Sequence, residues 1–342
     1  MYPPFRALPD KIPETGLEGQ YGPYIAEPGL VHAANTALGL GMPLLLTGEP
    51  GCGKSDFAWA AARALHLPKP LLCQVRSDSR ARDLLYHYDA LIRFADAQAH
   101  APRARDPRHY VSLRPLGVAL MSSGRRQVVR IDEIDKAPRD LPNDLLLELD
   151  EGSFEIPEIG DLDLDGAPRS VHDRTFVDIE IRRDMTRPTS AARPLVIITS
   201  NAERQLPEPF LRRCVFFHIH YPTEARLLDI LAGRFKDEPR EFRELVARVF
   251  QALRDHSKDF IKAPTLAEML QWTDALTRLY DRDHVADALS GLADALVDGK
   301  LPAATKERRG PSWHDLPGLC CLIKHRDDLT LIGANVRDAS PA

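Results

Sequence analysis

The chain has 342 residues, 44% of them hydrophobic and 28% charged, with a formal net charge of −5. That length allows two domains and a sizeable core, and the mild acidity argues against a dedicated nucleic-acid surface. No apolar run approaches the roughly 20 residues needed to cross a bilayer, so membrane insertion is not expected. The N-terminal MYPPFRALPDKIPETG lacks the apolar stretch of a secretory signal. The five cysteines, Cys52, Cys73, Cys214, Cys320 and Cys321, are scattered and odd in number, which fits a reducing cytoplasm rather than a disulfide framework. The neighbouring Cys320 and Cys321 read as buried small apolar residues.

In chain order, residues 1–22 carry Pro3, Pro4, Pro9 and Pro13 without an apolar period and read as an extended arm. From 23 to 221, short apolar runs alternate with helical patterns, which predicts an α/β domain around a parallel sheet. The strand candidates are PLLLT (43–47), LLCQV (71–75), QVVRID (127–132), LVIITS (195–200) and VFFHIHY (215–221). Helical spacing is expected over 54–65, 81–98 and 140–152. After Pro222 four amphipathic helices follow with no strand between them, which predicts a separate helical domain over 222–298. Residues 299–342 are a mixed tail whose LPGLCCLI reads as a short packed element.

GEPGCGKS is the stretch with chemistry in it. Gly48, Glu49, Pro50, Gly51, Cys52, Gly53, Lys54 and Ser55 follow an apolar strand and open an Ala-rich helix, the setting a phosphate-binding loop requires. The glycines let backbone N–H groups turn inward, and the helix start adds its positive dipole end. Lys54 is expected to reach the β- and γ-phosphates of ATP, with the Ser55 hydroxyl as a ligand to Mg²⁺. A second acidic site comes from VVRIDEIDKA, an apolar strand ending in Asp132 and Glu133. Asp132 is the expected second residue of the Mg²⁺ shell, and Glu133 the carboxylate that polarises a water for attack. The extra strand LLCQV, inserted between the loop strand and the acidic strand, together with that glutamate, is typical of the ASCE branch of phosphate-loop ATPases.

The third element, LVIITSNAERQLPEPFLRRC, is a strand ending in Thr199, Ser200 and Asn201, followed by a short helix carrying Arg212 and Arg213. An amide at that strand tip can reach the γ-phosphate or the attacking water. An arginine pair placed there bends back to its own loop with difficulty and serves more naturally in a neighbouring subunit's site.

With these motifs in this order, the chain over roughly residues 20–290 resembles the AAA+ ATPases, and within them the MoxR-like group. LLLTGEPGCGKS looks like Walker A, VVRIDEIDKA like Walker B, IITSNAE like sensor 1 and PEPFLRRC like the arginine-finger segment. The resemblance implies an α/β P-loop NTPase fold, a five-stranded parallel sheet in the order 5-1-4-3-2 with flanking helices, plus a C-terminal helical lid. It also implies a homo-oligomeric ring, commonly hexameric, with ATP bound between subunits and Arg213 as the finger, Arg212 standing second. An insertion is expected near 77–115 and a hairpin within 154–185; such loops face the pore in related rings and are the candidate partner-engaging surfaces. Where the family places its sensor 2 arginine this chain has Thr265, so either Lys262 substitutes or the lid contributes no cation. The family's NR segment after Walker B is replaced by DKAPRD.

DLDLDG (161–166) mimics the start of a calcium loop but puts His172 where a bidentate glutamate is needed, and the basic PRARDPRH run reads as a solvated loop. The expected function is ATP-driven remodelling of a protein client, which the resemblance suggests is a von Willebrand factor A-domain protein. Two rivals remain at this point: a nucleic-acid-directed NTPase motor, which GTP preference would favour, and an ATP-binding assembly switch with little turnover.

Overall fold

The structure, a computed structural model, describes residues 11–122, 126–159, 170–172, 178–186, 193–256, 260–295 and 316–331. Five strands form the central sheet: β1 (Leu44–Gly48), β2 (Leu71–Gln74), β3 (Val128–Asp132), β4 (Leu195–Ser200) and β5 (Val215–Ile219). All pairings are parallel and the order is β5-β1-β4-β3-β2. β1 and β4 are buried at every position, as continuous apolar runs with neighbours on both sides should be. β5 lies at an edge and leaves Phe216 more than half exposed. The register sets Thr47 opposite Ser200 and Ile131 opposite Ile198, so β1, β4 and β3 finish side by side. The carboxyl ends of parallel strands are where such sheets hold ligands.

The order is the 5-1-4-3-2 that the resemblance implies: LLCQV follows the loop strand in sequence but lies outside β3 at the far edge, and the strand between the loop strand and the acidic strand is β4. Sequence order does not carry spatial order, because a crossover can pass over any neighbour.

Contacts divide the chain into two units, one of residues 1–48 and 54–219, the other of 49–53 and 220–342. In the first, a helix not anticipated from the sequence spans Pro28–Leu40, with proline in its first turn and Gly41 closing it at φ 67°. Its buried Asn35 accepts the Ile12 N–H at 2.7 Å and donates to the Ile12 carbonyl at 2.8 Å. The described part of the supposed arm is therefore packed down, with Ile12 and Leu17 buried and a two-strand turn at Glu18–Gly19 and Gly22–Pro23.

The helix expected over 81–98 is broken. Arg82–Leu85 is helical, Tyr86–Tyr88 is a strand, and Ala90–Gln98 is helical again with the Asp89 carboxylate accepting the Ile92 N–H at 2.9 Å. The strand pairs antiparallel with Val111–Leu113, and the Arg114 N–H returns to the Leu85 carbonyl at 2.8 Å. Helix Pro115–Met121 then packs so tightly that a Cβ on Gly117 would sit 2.0 Å from the Leu85 oxygen. The segment 140–152 is likewise two short helices, Leu141–Asp144 and Leu146–Glu151. Around the expected hairpin, Ser153–Glu155 pairs with Asp184–Thr186, and residues 170–172 pair with 178–180, both antiparallel. DLDLDG lies outside the described residues.

The second unit has helices at Glu224–Arg234, Arg240–His256, Leu266–Leu279 and Arg282–Ala295, with a core that includes Phe250, Leu253, Met269 and Trp272. Trp272 is fully buried and its indole N–H donates to the Pro317 carbonyl at 2.7 Å, tying in the short element at 316–323. Leu316, Leu322 and Ile323 pack there, but Cys320 is exposed and Cys321 half-buried, against the expectation that both are buried. Burial and the neighbouring Cys320 push the Cys321 thiol up.

Helix Leu266–Leu279 opens with a complete capping box. The Thr265 hydroxyl accepts the Glu268 N–H, and the Glu268 carboxylate accepts the Thr265 N–H at 2.8 Å. Thr265→Ala should therefore cost about 1 kcal/mol. The check is a denaturant unfolding curve whose midpoint falls while its slope is unchanged.

Candidate functional site

The loop between β1 and the helix Lys54–Ala64 has three glycines in the left-handed region, Gly48 at φ 144°, Gly51 at 74° and Gly53 at 97°. An L-residue with a Cβ resists those angles, so the loop shape is written in glycine. Lys54 is buried and its Nζ donates to the Gly48 carbonyl at 2.7 Å, which lays the ammonium across the loop's own mouth. Successive N–H groups in such a turn, a helix N-terminus and a buried cation together make a cradle for polyphosphate.

Asp132 and Arg130 share a face of β3 because side chains alternate along a strand. The Arg130 guanidinium pairs with Asp132 Oδ2 at 2.9 Å and donates to the Ser55 carbonyl at 3.1 Å. Asp132 Oδ1 accepts the Ser55 hydroxyl at 3.0 Å and the Thr199 hydroxyl at 3.2 Å. Both carboxylate oxygens are thus oriented, one by a cation and one by two hydroxyls. The donors suit Mg²⁺: hard oxygens from Ser55 and Asp132, with no group of three or more His, Cys, Asp or Glu side chains among the described residues to cage a metal. A cation that keeps waters and phosphate oxygens needs only one or two protein ligands.

Glu133 sits at φ 55°, ψ 51°, a left-handed conformation uncommon for a residue with a Cβ, which costs roughly 1–3 kcal/mol. It is held there by its N–H donating to Thr199 Oγ1 at 3.0 Å, and by its carbonyl accepting the Lys136 N–H at 2.9 Å. Glu133 Oε1 accepts from Asn201 Nδ2 at 3.3 Å, and Oε2 pairs with Lys136 Nζ at 2.8 Å. That carboxylate raises the Lys136 ammonium above its ordinary value. Asn201 is positioned in turn by buried Asp135, one oxygen of which accepts the N–H groups of Asn201 at 3.1 Å and Glu203 at 3.0 Å.

The structure therefore brings Lys54, Ser55, Asp132, Glu133 and Asn201 to the ends of β1, β3 and β4. The remaining candidates stand elsewhere. Arg213 pairs with Asp150 at 2.8 Å and Arg212 with Glu208 at 2.7 Å, both on exposed surface. Lys262 Nζ lies 3.1 Å from Glu268 Oε1, so it joins the helix cap that Thr265 closes. Glu49, in the loop residues that group with the second unit, accepts from Arg254, whose guanidinium also lies 3.6 Å from the Tyr221 ring centroid. Cys52 is buried, and Pro50 and Gly51 are exposed. Sequence reading passed over Arg130, Asp135 and Lys136; the signal available was a cation two residues before the acidic pair and a further acid and base within three residues after it.

Residues 43–214 match the AAA domain family of the dynein-related subfamily. Two solved structures align with the chain at 16% identity and a TM-score of 0.37 each. One is the FIGL-1 AAA domain in complex with ADP, aligned over 85% of this chain and 75% of that one. The other is a single-substitution variant of RuvB from Thermotoga maritima, over 73% of this chain and 61% of that one. No curated protein matches the sequence.

Proposed function

From the premise that the chain belongs to the AAA domain family, dynein-related subfamily, we propose that it hydrolyses ATP, assembles with copies of itself and spends the energy on a protein partner. The observation that supports this best is the hydrogen-bonded run from the Ser55 hydroxyl through Asp132 and Thr199 to the Glu133 amide. That run joins the start of helix Lys54–Ala64 to the ends of β3 and β4, and it supports reading the glycine loop, Asp132 and Glu133 as parts of one site.

In this reading Lys54 and the loop N–H groups hold the phosphates, and Ser55 with Asp132 would hold Mg²⁺, which supplies charge neutralisation when bound. Glu133 takes the proton of the attacking water as its oxygen bonds to the γ-phosphorus and the bond to the β,γ-bridging oxygen breaks. Asn201, on the Glu133 carboxylate, keeps that base aimed. In the same reading the chain is a MoxR-like remodeller that works as a hexameric ring on a client of the von Willebrand factor A-domain type. The testing experiment is turnover per subunit over a wide range of protein concentration, with and without DNA. Activity that climbs with concentration and ignores DNA supports the reading; activity that appears only with DNA replaces it with the nucleic-acid motor.

Arg213 is the proposed finger for a neighbour's site. Arg213→Ala should bind nucleotide normally and lose turnover by about a thousandfold or more. Mixed with Glu133→Gln it should regain part of the activity, since one subunit then supplies the base and the next the guanidinium. Mixed assemblies that stay inactive would count against the assignment.

No helix among the described residues is long and apolar enough to cross a membrane.

A further inference from the structure

Helix Ala90–Gln98 is built inside out. None of its residues is buried; Leu91 is 82% exposed, Phe94 65% and Ile92 49%. Arg93 and Asp96 turn toward its own domain instead. Arg93 donates to the Tyr88 hydroxyl at 2.7 Å and to the Ala104 carbonyl at 3.3 Å, while Asp96 accepts the Tyr110 hydroxyl at 2.6 Å and pairs with Arg103. A helix that spends its polar side on its own domain and shows Leu and Phe to water has its apolar face reserved for something else. Beside that face the chain is basic: Arg103 and Arg105 are exposed, and Arg105 has no hydrogen bond or ion pair among the described residues.

The same unit carries an apolar groove whose charged lining is mostly acidic. It has a volume of about 790 Å³ and is floored by Phe154 and Met185, with Leu147 62% exposed at its edge. Its charged lining residues are Arg82, Glu148, Glu155, Glu158 and Asp184; Arg82 pairs with Glu158 and Arg183 with Glu155, which leaves Glu148 and Asp184. Glu148 has one carboxylate oxygen buried with no hydrogen-bond partner, and burial raises its pKa. Asp184 is exposed and has no ion pair among the described residues. A buried acceptor without a donor is costly, and a cation or N–H donor arriving with apolar surface removes that cost.

We infer that the apolar face of helix Ala90–Gln98 on one copy seats in the Leu147–Phe154 groove of the next copy, with Arg103 and Arg105 meeting Glu148 and Asp184. The two surfaces match in both respects that matter, apolar against apolar and basic against acidic. A copy cannot satisfy itself, because hydrogen bonds to Tyr88 and Tyr110 pin the helix by its polar side. The two patches differ, so the contact is head-to-tail, the kind that generates rings or filaments. A single helix in a groove is smaller than a stable interface of roughly 1,200–2,000 Å², so it is one part of a larger contact. The inference rests on the reading that the chain assembles with copies of itself, and names one place where it does.

The test uses full-length Phe94→Glu and Leu147→Glu, sized by mass photometry with ATP present. Both side chains are exposed, so each variant should fold and keep its nucleotide affinity. Each alone should shift the assembly midpoint by about thirtyfold or more, the signature of a hot-spot side chain. An equimolar mixture should recover pairs and stop there, because the intact groove of one variant takes the intact helix of the other and neither can extend further. Variants that assemble as the wild type does would overturn the inference while leaving self-assembly standing, and would hand the helix to a different protein. A mixture no larger than its components would overturn it equally. A wild-type chain that stays monomeric at every concentration would remove both the inference and the assembly reading beneath it.

Discussion

Lys54→Ala should weaken ATP binding by about a hundredfold, the roughly 3 kcal/mol of a charge-assisted hydrogen bond made at a buried position. The side chain is 6% exposed and already faces the loop interior, where its Nζ donates to the Gly48 carbonyl at 2.7 Å. Arg130, which also reaches the start of this helix, is committed to Asp132 and the Ser55 carbonyl. Truncation also strips a donor from the Gly48 oxygen, so a thermal melt must accompany the titration to separate lost binding from lost folding. A folded variant with wild-type affinity for ATP would mean that the glycine loop does not hold the phosphates.

Glu133→Gln should leave ATP binding intact and lower turnover by about 10²- to 10⁴-fold, the range for removing a general base. Glutamine keeps the shape and can still meet Asn201 and Lys136, but it cannot accept the proton of a water. The variant should also retain nucleotide and accumulate in its assembled form, measured by sizing after ATP is added. If single-turnover hydrolysis proceeds at the wild-type rate, the base is another group and Glu133 serves only to position its neighbours.

Much of this site was legible because its parts are short and local. The glycine loop shows its spacing directly, and Asp132–Glu133 stands at the end of an apolar run that could only be a strand. The five sheet strands were legible for the same reason, since residues buried on both faces leave continuous apolar runs. What was hidden depends on distant partners. The left-handed turn at Glu133 is held through Thr199, 66 residues away, and nothing in DEIDK announces it. The strand at Tyr86–Tyr88 exists because Val111–Leu113 pairs with it, and before that pairing is known the stretch keeps a helical period. Helix Pro28–Leu40 escaped notice because its buried face mixes three alanines and an asparagine with Leu30, Val31 and Leu38, a stripe of little contrast. Arg212 and Arg213 were legible as surface arginines with a possible duty elsewhere, and in a single chain each is seen with a carboxylate on its own surface.

The excursion that carries the inside-out helix has one further consequence, in how such a protein can change. The chain leaves the core after the strand Tyr86–Tyr88 and comes back at Val111–Leu113, with Tyr86 and Val111 still in the core, and the Asp89 N–H donates to the Tyr110 carbonyl at 2.9 Å across the gap. Whatever lies between them is a pendant with a closed neck. Doubling its length adds only about 0.6 kcal/mol of closure entropy, so it can be lengthened, trimmed or exchanged at little cost to the sheet below. The neck itself is rigid, because Gly117 leaves no room for even a methyl group against the Leu85 carbonyl. New recognition surfaces can therefore be grafted between 89 and 110 while Asp132, Glu133 and the loop go on unchanged, and the base they stand on tolerates no side chain at Gly117.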